Sequence, residues 1–355
     1  MNKKLIALAV AGACVAPAAM AQTANPVTLY GRVYATLESV EAKGGTAAQD
    51  AASKRRTRIE NQASLLGVRG TEDLGGGLKA FFQLETSFRP DSNNTTFGDR
   101  NSAVGLQGGF GSVLLGRWDT PFKLATTAVD PFGDLTLGGT TGVINDGGNF
   151  DQRAQNNLQY WSPNFGGAAI RLFTTTDETR TATEKPRMYG GSITYTGGPV
   201  YVFYSFEEHK DATGAQATTG LTPVAGAKET GNAVGGSFSF GPVKVGLVAE
   251  RFKKVARTTQ KAIMANIAYT MGNNVFIYQF MKMDDGGLSS SSTQPECDSN
   301  NIGYQYNFSK RTFLLAQYTR VTNDNGAACN FGANRLAISA GQDPRGMSLG
   351  LRHVF

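Results

Sequence analysis

Hydrophobic and polar residues alternate along this chain with period two, in one short run after another, the pattern of strands with one wet face. In the final run Met347, Leu349, Leu351, His353 and Phe355 share one face, and Ser348, Gly350 and Arg352 share the other. Near the start, Val27, Leu29, Val33, Ala35 and Leu37 oppose Thr28, Arg32, Thr36 and Glu38. A sheet in water would leave these two runs as exposed edges that invite aggregation. In a barrel the last strand closes on the first, with apolar residues outside and polar ones inside, as expected in lipid.

Between them the chain repeats one unit: long polar loop, strand, tight turn, strand. A strand ending Leu65–Gly70 reaches a turn at Thr71–Gly77. The next strand has Leu78, Ala80, Phe82 and Leu84 on one face, and Lys79, Gln83 and Glu85 on the other. Further hairpin turns fall at 109–111, 163–166, 197–199, 240–242, 272–274 and 309–311. The count is sixteen strands. An all-β, 16-stranded antiparallel transmembrane β-barrel follows, with short periplasmic turns and long external loops, wide enough for an aqueous channel. The longest connection, Asp119 to Gln155, exceeds a plain connector and reads as functional.

Upstream, Met1-Asn2-Lys3-Lys4, an apolar stretch from Leu5 to about Val15 and Ala19-Met20-Ala21 predict a secretory signal peptide over residues 1–21. The barrel domain is then 22–355. Cys14 offers a lipoprotein alternative, but Ala11-Gly12-Ala13 lacks the branched residue expected three before a lipidated cysteine. No other apolar run approaches the roughly 18 to 20 residues of a spanning helix. Mean hydropathy of -0.25 is compatible with a barrel, because only every second strand residue meets lipid.

The 34 basic residues fall to 32 without Lys3 and Lys4, a net charge of +4 against 28 acidic residues. The charges are scattered, which gives no basis for nucleic-acid binding. The mature part keeps Cys297 and Cys329, which an exported chain is expected to join as a disulfide linking two adjacent external loops; two free thiols in loops are the alternative. With two histidines at strand ends, His209 and His353, the sequence offers neither a metal set nor a nucleophile with a positioned base. No cofactor is expected, and an enzymatic barrel or an adhesin ranks below a channel.

The segments Val27-Thr28-Leu29-Tyr30-Gly31, Gly70 to Ala80, Val104 to Arg117 and Ser162 to Gly167 resemble the trimeric general porins of the beta-proteobacterial branch of Gram-negative bacteria. That resemblance implies an outer-membrane diffusion pore for small hydrophilic solutes and ions, assembled as a homotrimer, with the third external loop folded inward. A substrate-specific channel is the alternative. It also implies contact with outer-membrane lipid and lipopolysaccharide, and recognition of the terminal Phe355 by the barrel-assembly machinery. In such porins, loop carboxylates face wall arginines across the constriction, where low-dielectric walls focus the field. Here the loop supplies Asp119, Asp130, Asp134, Asp146 and Asp151, and the wall supplies Arg117.

Alternation with Val113 and Leu115 points Arg117 outward, so its role requires a bulge. Two arginines of the family pattern are replaced, by Leu65 and Gln159. Arg32, Arg69, Lys79 and Arg171 fall at inward positions, as does Glu85, and Trp161 is a further candidate lining residue. Weak anion preference is expected.

Overall fold

The computed structural model describes residues 27–355 apart from 93–96, 134–135, 145–149, 214–221, 256–258 and 285–295. The signal peptide expected at 1–21 lies outside the described residues. Sixteen antiparallel wall strands form one closed sheet: β1 Thr28–Lys43, β2 in two pieces Arg56–Asn61 and Leu65–Gly75, β3 Leu78–Ser87, β4 Ser102–Gly108, β5 Gly111–Asp119, β6 Arg153–Trp161, β7 Ala168–Thr175 and β8 Arg187–Gly197, followed by β9 Val200–Thr213, β10 Thr222–Phe240, β11 Val243–Lys253, β12 Gln260–Met271, β13 Asn274–Asp284, β14 Glu296–Asn307, β15 Thr312–Asn323 and β16 Asp343–Val354.

The seam joins β1 to β16, in register from Arg32↔Val354 to Lys43↔Asp343. Beyond the strand, Phe355 and Gly31 exchange both backbone hydrogen bonds, 3.0 and 3.1 Å. The Phe355 ring lies over Gly31, where a Cβ would sit 2.6 Å from Cζ. The same Cβ would sit 2.6 Å from the Leu65 carbonyl oxygen, so glycine at position 31 is required by the neighbouring backbone as well as by the terminal ring.

β2 breaks at Gln62–Ser64 because side chains take over from the ladder. The Tyr34 amide donates to Ser64 Oγ at 2.9 Å, and Gln62 Nε2 donates to Glu38 Oε1 at 2.7 Å, while Ala63 turns to φ 53°. The turn expected at Thr71–Gly77 is shorter than the sequence suggested. β2 runs on to Gly75, and three left-handed glycines, 75–77, reverse the chain, helped by the Gly75 amide donating to Asp73 Oδ1 at 2.9 Å.

Outward positions such as Leu37, Val104, Leu115, Ile193, Val234, Leu247, Ile302 and Leu351 are apolar and exposed all round the barrel, the surface a bilayer covers. The inner face is uneven. Beside β1 and β16 it is polar, but on β9–β13 it carries Phe203, Val248, Phe252, Met264 and Met281, all buried.

Candidate functional site

What covers that apolar inner wall is the connection between β5 and β6. It starts with α1, Pro121–Thr127, whose N-cap Thr120 accepts from the Lys123 amide and whose N1 proline fixes the first turn. Phe122, Ala125 and Val129 belong to the same apolar cluster as Phe203, Val248, Phe252 and Met264. Further along, Asn266 Nδ2 donates to Val129 O (3.1 Å), Gln279 Nε2 donates to Gly138 O (2.9 Å), and Phe132 packs with Ile277 and Leu315. The returning limb stacks Phe150 on His209 at 4.6 Å and on Phe252 at 5.1 Å. His209, expected at a strand end, lies within β9. It is fully buried on the inner face, 2.9 Å from Glu207. The third loop thus folds into the barrel and lies along its wall.

Among the described residues, the loop aspartates Asp119, Asp130 and Asp151 do not form one row facing the lumen. Asp119 is bound by Arg153 at 3.0 Å and by Asn101 at 2.9 Å. It pairs with Arg153 on the face opposite the inward Trp118 and Ala154. Asp151 is buried against Lys123, at 3.7 Å. Asp130 takes the Phe132 and Thr140 amides, at 2.9 and 3.3 Å, to shape the loop itself. Asp134 and Asp146 lie outside the described residues.

Arg117 requires a correction. The bulge exists, but it falls in β6, where Asn156 adopts φ 50°. The alternation of β5 is undisturbed, so Arg117 pairs with Ser102 and shares the outward face with Leu115 and Val104.

Leu65 and Gln159 both face inward, yet both are buried. Gln159 donates to the Asp119 carbonyl at 2.9 Å and accepts the Trp161 indole N–H at 2.8 Å, pinning the start of the inward loop. A guanidinium there would be desolvated without a counter-charge, at a cost of roughly several kcal/mol. Gln159→Arg is therefore expected to lower the unfolding temperature and free the start of the loop, raising single-channel conductance. A variant that melts like wild type and shifts only the reversal potential would show instead that position 159 borders water.

Charges the sequence reading overlooked gather elsewhere. A polar cleft of about 610 Å³ is lined by Asn61, Ala63, Ser87, Arg89, Asp99, Arg100 and residues 332–335. Arg335, from the connection between β15 and β16, donates to the Thr141 carbonyl of the inward loop. Burial lowers its pKa from the ordinary value, although a guanidinium stays charged. Arg100 stands 3.9 Å from Glu85, which also accepts from the Tyr30 hydroxyl at 2.9 Å. Arg32 Nε donates to Ala63 O at 2.8 Å beside the same cleft. Four arginines thus gather with two carboxylates, Asp99 and Glu85. Local sequence gave no sign that Arg335 belongs here, because the connection that carries it is irregular.

Toward the short turns, inward arginines sit over aromatic rings. Arg69 covers Tyr30 and Arg171 covers Trp161, both at 4.9 Å, and Arg352 covers Phe313 at 5.1 Å. Such stacking fixes a guanidinium without neutralising it. Arg352 shares the polar face of its strand and could have been read as lining from that alternation. Lys79 is exposed near the same end, opposite Asp73 and Gln107.

Cys297 and Cys329 are disulfide-bonded. Cys297 lies within β14 rather than in a loop, and Cys329 in the connection between β15 and β16. That connection grips the inward loop: the Gly332 amide donates to Leu137 O and the Ala333 amide to Thr136 O, both at 3.0 Å, and the Asn330 amide donates to Gly142 O at 3.2 Å.

Residues 7–326 match the Gram-negative porin family. The chain is 33% identical to outer membrane porin protein 32 of Delftia acidovorans over the full length of both. It is 27% identical to major outer membrane protein P.IB of Neisseria meningitidis serogroup B, again over the full length of both. Among solved structures, the anion-selective porin from Comamonas acidovorans superposes with a TM-score of 0.79 at 28% identity, covering 93% of this chain and 100% of that one. A closed sixteen-stranded wall with an inward loop, matched to these relatives end to end, leaves one reading: the chain belongs to the Gram-negative porin family and forms a passive diffusion channel in the outer membrane.

Proposed function

We propose that this channel is a general pore for small hydrophilic solutes with a weak preference for anions, exported by way of the signal peptide at 1–21 and assembled as a homotrimer. The observation that carries the preference is the cleft where Arg32, Arg89, Arg100 and Arg335 meet Asp99 and Glu85. The stacked Arg69, Arg171 and Arg352 add fixed positive charge on the way out. Asp119 and Asp151 are spent on Arg153 and Lys123, so they oppose it little. The Comamonas acidovorans relative, described as anion-selective, supports the same sign.

Trimer assembly is supported by the outward face of β5, where Arg117 puts an ionic group beside Leu115 and Val104 on a surface that would otherwise meet lipid. We assign no catalytic role.

In a planar bilayer the purified protein is expected to insert in conductance steps, three per trimer. Its reversal potential in a salt gradient should lie modestly on the anion side. A folded, inserted protein that never conducts would end the pore reading, and a cation-side potential would end the proposed preference.

A further inference from the structure

Beside the cleft, in the first piece of β2, Arg58 stands in register opposite Glu38 of β1. Its Nε and Nη2 both lie 2.8 Å from Glu38 Oε2, and Nε is 3.3 Å from Glu60 Oε1. Glu38 is buried, and its Oε1 accepts from Thr36 Oγ1 at 2.9 Å and from Gln62 Nε2 at 2.7 Å. Two carboxylates against one guanidinium leave Arg58 little positive field of its own to offer passing ions. A buried ion pair is also a weak source of net stability. The use of this one lies in what else the guanidinium holds.

Nη2 of Arg58 also donates to the Asn334 carbonyl. Asn334 is tied at a second point, its Nδ2 donating to the Asn61 carbonyl at 3.1 Å, and its backbone adopts φ 49°, a region asparagine enters more readily than most residues. A peptide pinned in this way fixes the direction in which the next residue leaves the chain. That residue is Arg335. Its guanidinium reaches the Thr141 carbonyl, and Thr141 Oγ1 donates back to the Gly332 carbonyl at 2.6 Å. A continuous path of contacts thus runs from Glu38 on the wall through Arg58, Asn334 and Arg335 to the inward loop.

We propose that Arg58 is a positioning residue for selectivity: anchored on Glu38, it holds the Asn334 peptide so that Arg335 stays at the cleft. Released from that anchor, Arg335 would spread its charge over the wider mouth, where distances beyond about 8 to 10 Å are screened in physiological salt. The proposal rests on the reading of the cleft as the seat of the anion preference.

The test is Glu38→Gln/Arg58→Gln, which removes the anchor without changing net charge or leaving a buried charge unpaired. Reversal potentials in a dilute salt gradient should show the anion-to-cation permeability ratio falling about threefold, part of the effect of losing one charge from the cleft. Arg335→Gln, which loses that charge outright, should lower the ratio about fivefold. In the Arg335→Gln background the paired substitution should change the ratio no further. An equal fall in both backgrounds would overturn the proposal, because the pair would then act by its own field or through the fold. Arg58→Lys keeps a cation beside Glu38, and with it the fold, but lacks the fork that serves Glu38 and the Asn334 carbonyl together; it should lower the ratio in the same direction by less. Placement is read independently of selectivity by a nitroxide label on Arg335→Cys, the native disulfide being left oxidised. Adding Glu38→Gln/Arg58→Gln should abolish the immobilised component of its spectrum. An unaltered spectrum would overturn the proposal. Loss of that component together with a ratio unmoved by Arg335→Gln would leave the positioning intact and remove the selectivity reading, so the two failures are distinguishable.

Discussion

Reduction of the Cys297–Cys329 bond is expected to expose the connection between β15 and β16 to protease and to make the open-channel current noisy. The bond spans 32 residues. In the chain-entropy treatment, closing a loop of that size is worth roughly 3 to 4 kcal/mol. The released segment is the one whose Asn330, Gly332 and Ala333 amides hold the inward loop. Loosening it therefore reaches the narrow part of the channel, although neither cysteine lines water there. Limited proteolysis of the folded barrel with and without reductant, and single-channel recording of Cys297→Ser/Cys329→Ser, check this. Equal protection and equal noise in both states would show that the hydrogen bonds hold the loop unaided.

Arg335→Glu is expected to move selectivity further than substitution of any single wall arginine, because it replaces a positive charge by a negative one where three segments converge. In water a unit charge about 8 Å from a passing ion contributes roughly 0.5 kcal/mol. A change of two units therefore moves anion and cation by about 1 kcal/mol each in opposite senses, roughly a thirtyfold fall in the anion-to-cation permeability ratio in dilute salt. The shift should shrink in 1 M salt, where screening acts within about 3 Å. Arg100→Gln should move the ratio in the same direction by less, since Glu85 already offsets part of that charge. Reversal potentials at two ionic strengths give both results. A ratio unmoved by Arg335→Glu would remove this residue from the permeation path.

The wall was legible in the sequence because it depends on a local rule. Alternation at period two, interrupted by glycine-rich turns, located the hairpins and placed Arg32, Arg69, Lys79, Glu85 and Arg171 on the polar face of their strands. The same rule pointed Arg117 outward; the assumed bulge that would have turned it inward lies on the neighbouring strand. The narrow part of the channel was poorly legible because its charges come from segments without periodicity. Whether Asp151 faces water or Lys123, and whether Arg335 reaches Thr141, depends on how long loops fold over one another.

One signal was present and went unread. Strands from β9 to β13 carry apolar residues on both faces, Val248 and Phe252 inside against Val245 and Leu247 outside, interspersed inside with Glu207, Glu250 and Gln279. A water-filled barrel has no use for an inner phenylalanine unless something covers it.

That doubly apolar wall bears on attempts to widen the channel. Excising the inward loop would remove its bulk and, with it, the polar backbone that now faces the lumen. Phe203, Val248, Phe252, Met264 and Met281 would then border the aqueous path directly. A broad hydrocarbon patch in a pore repels water, and a pore can shut by drying without any moving part. The trimmed barrel would be wider by geometry yet prone to intermittent vapour-like closure, so the loop serves the channel as a wettable lining.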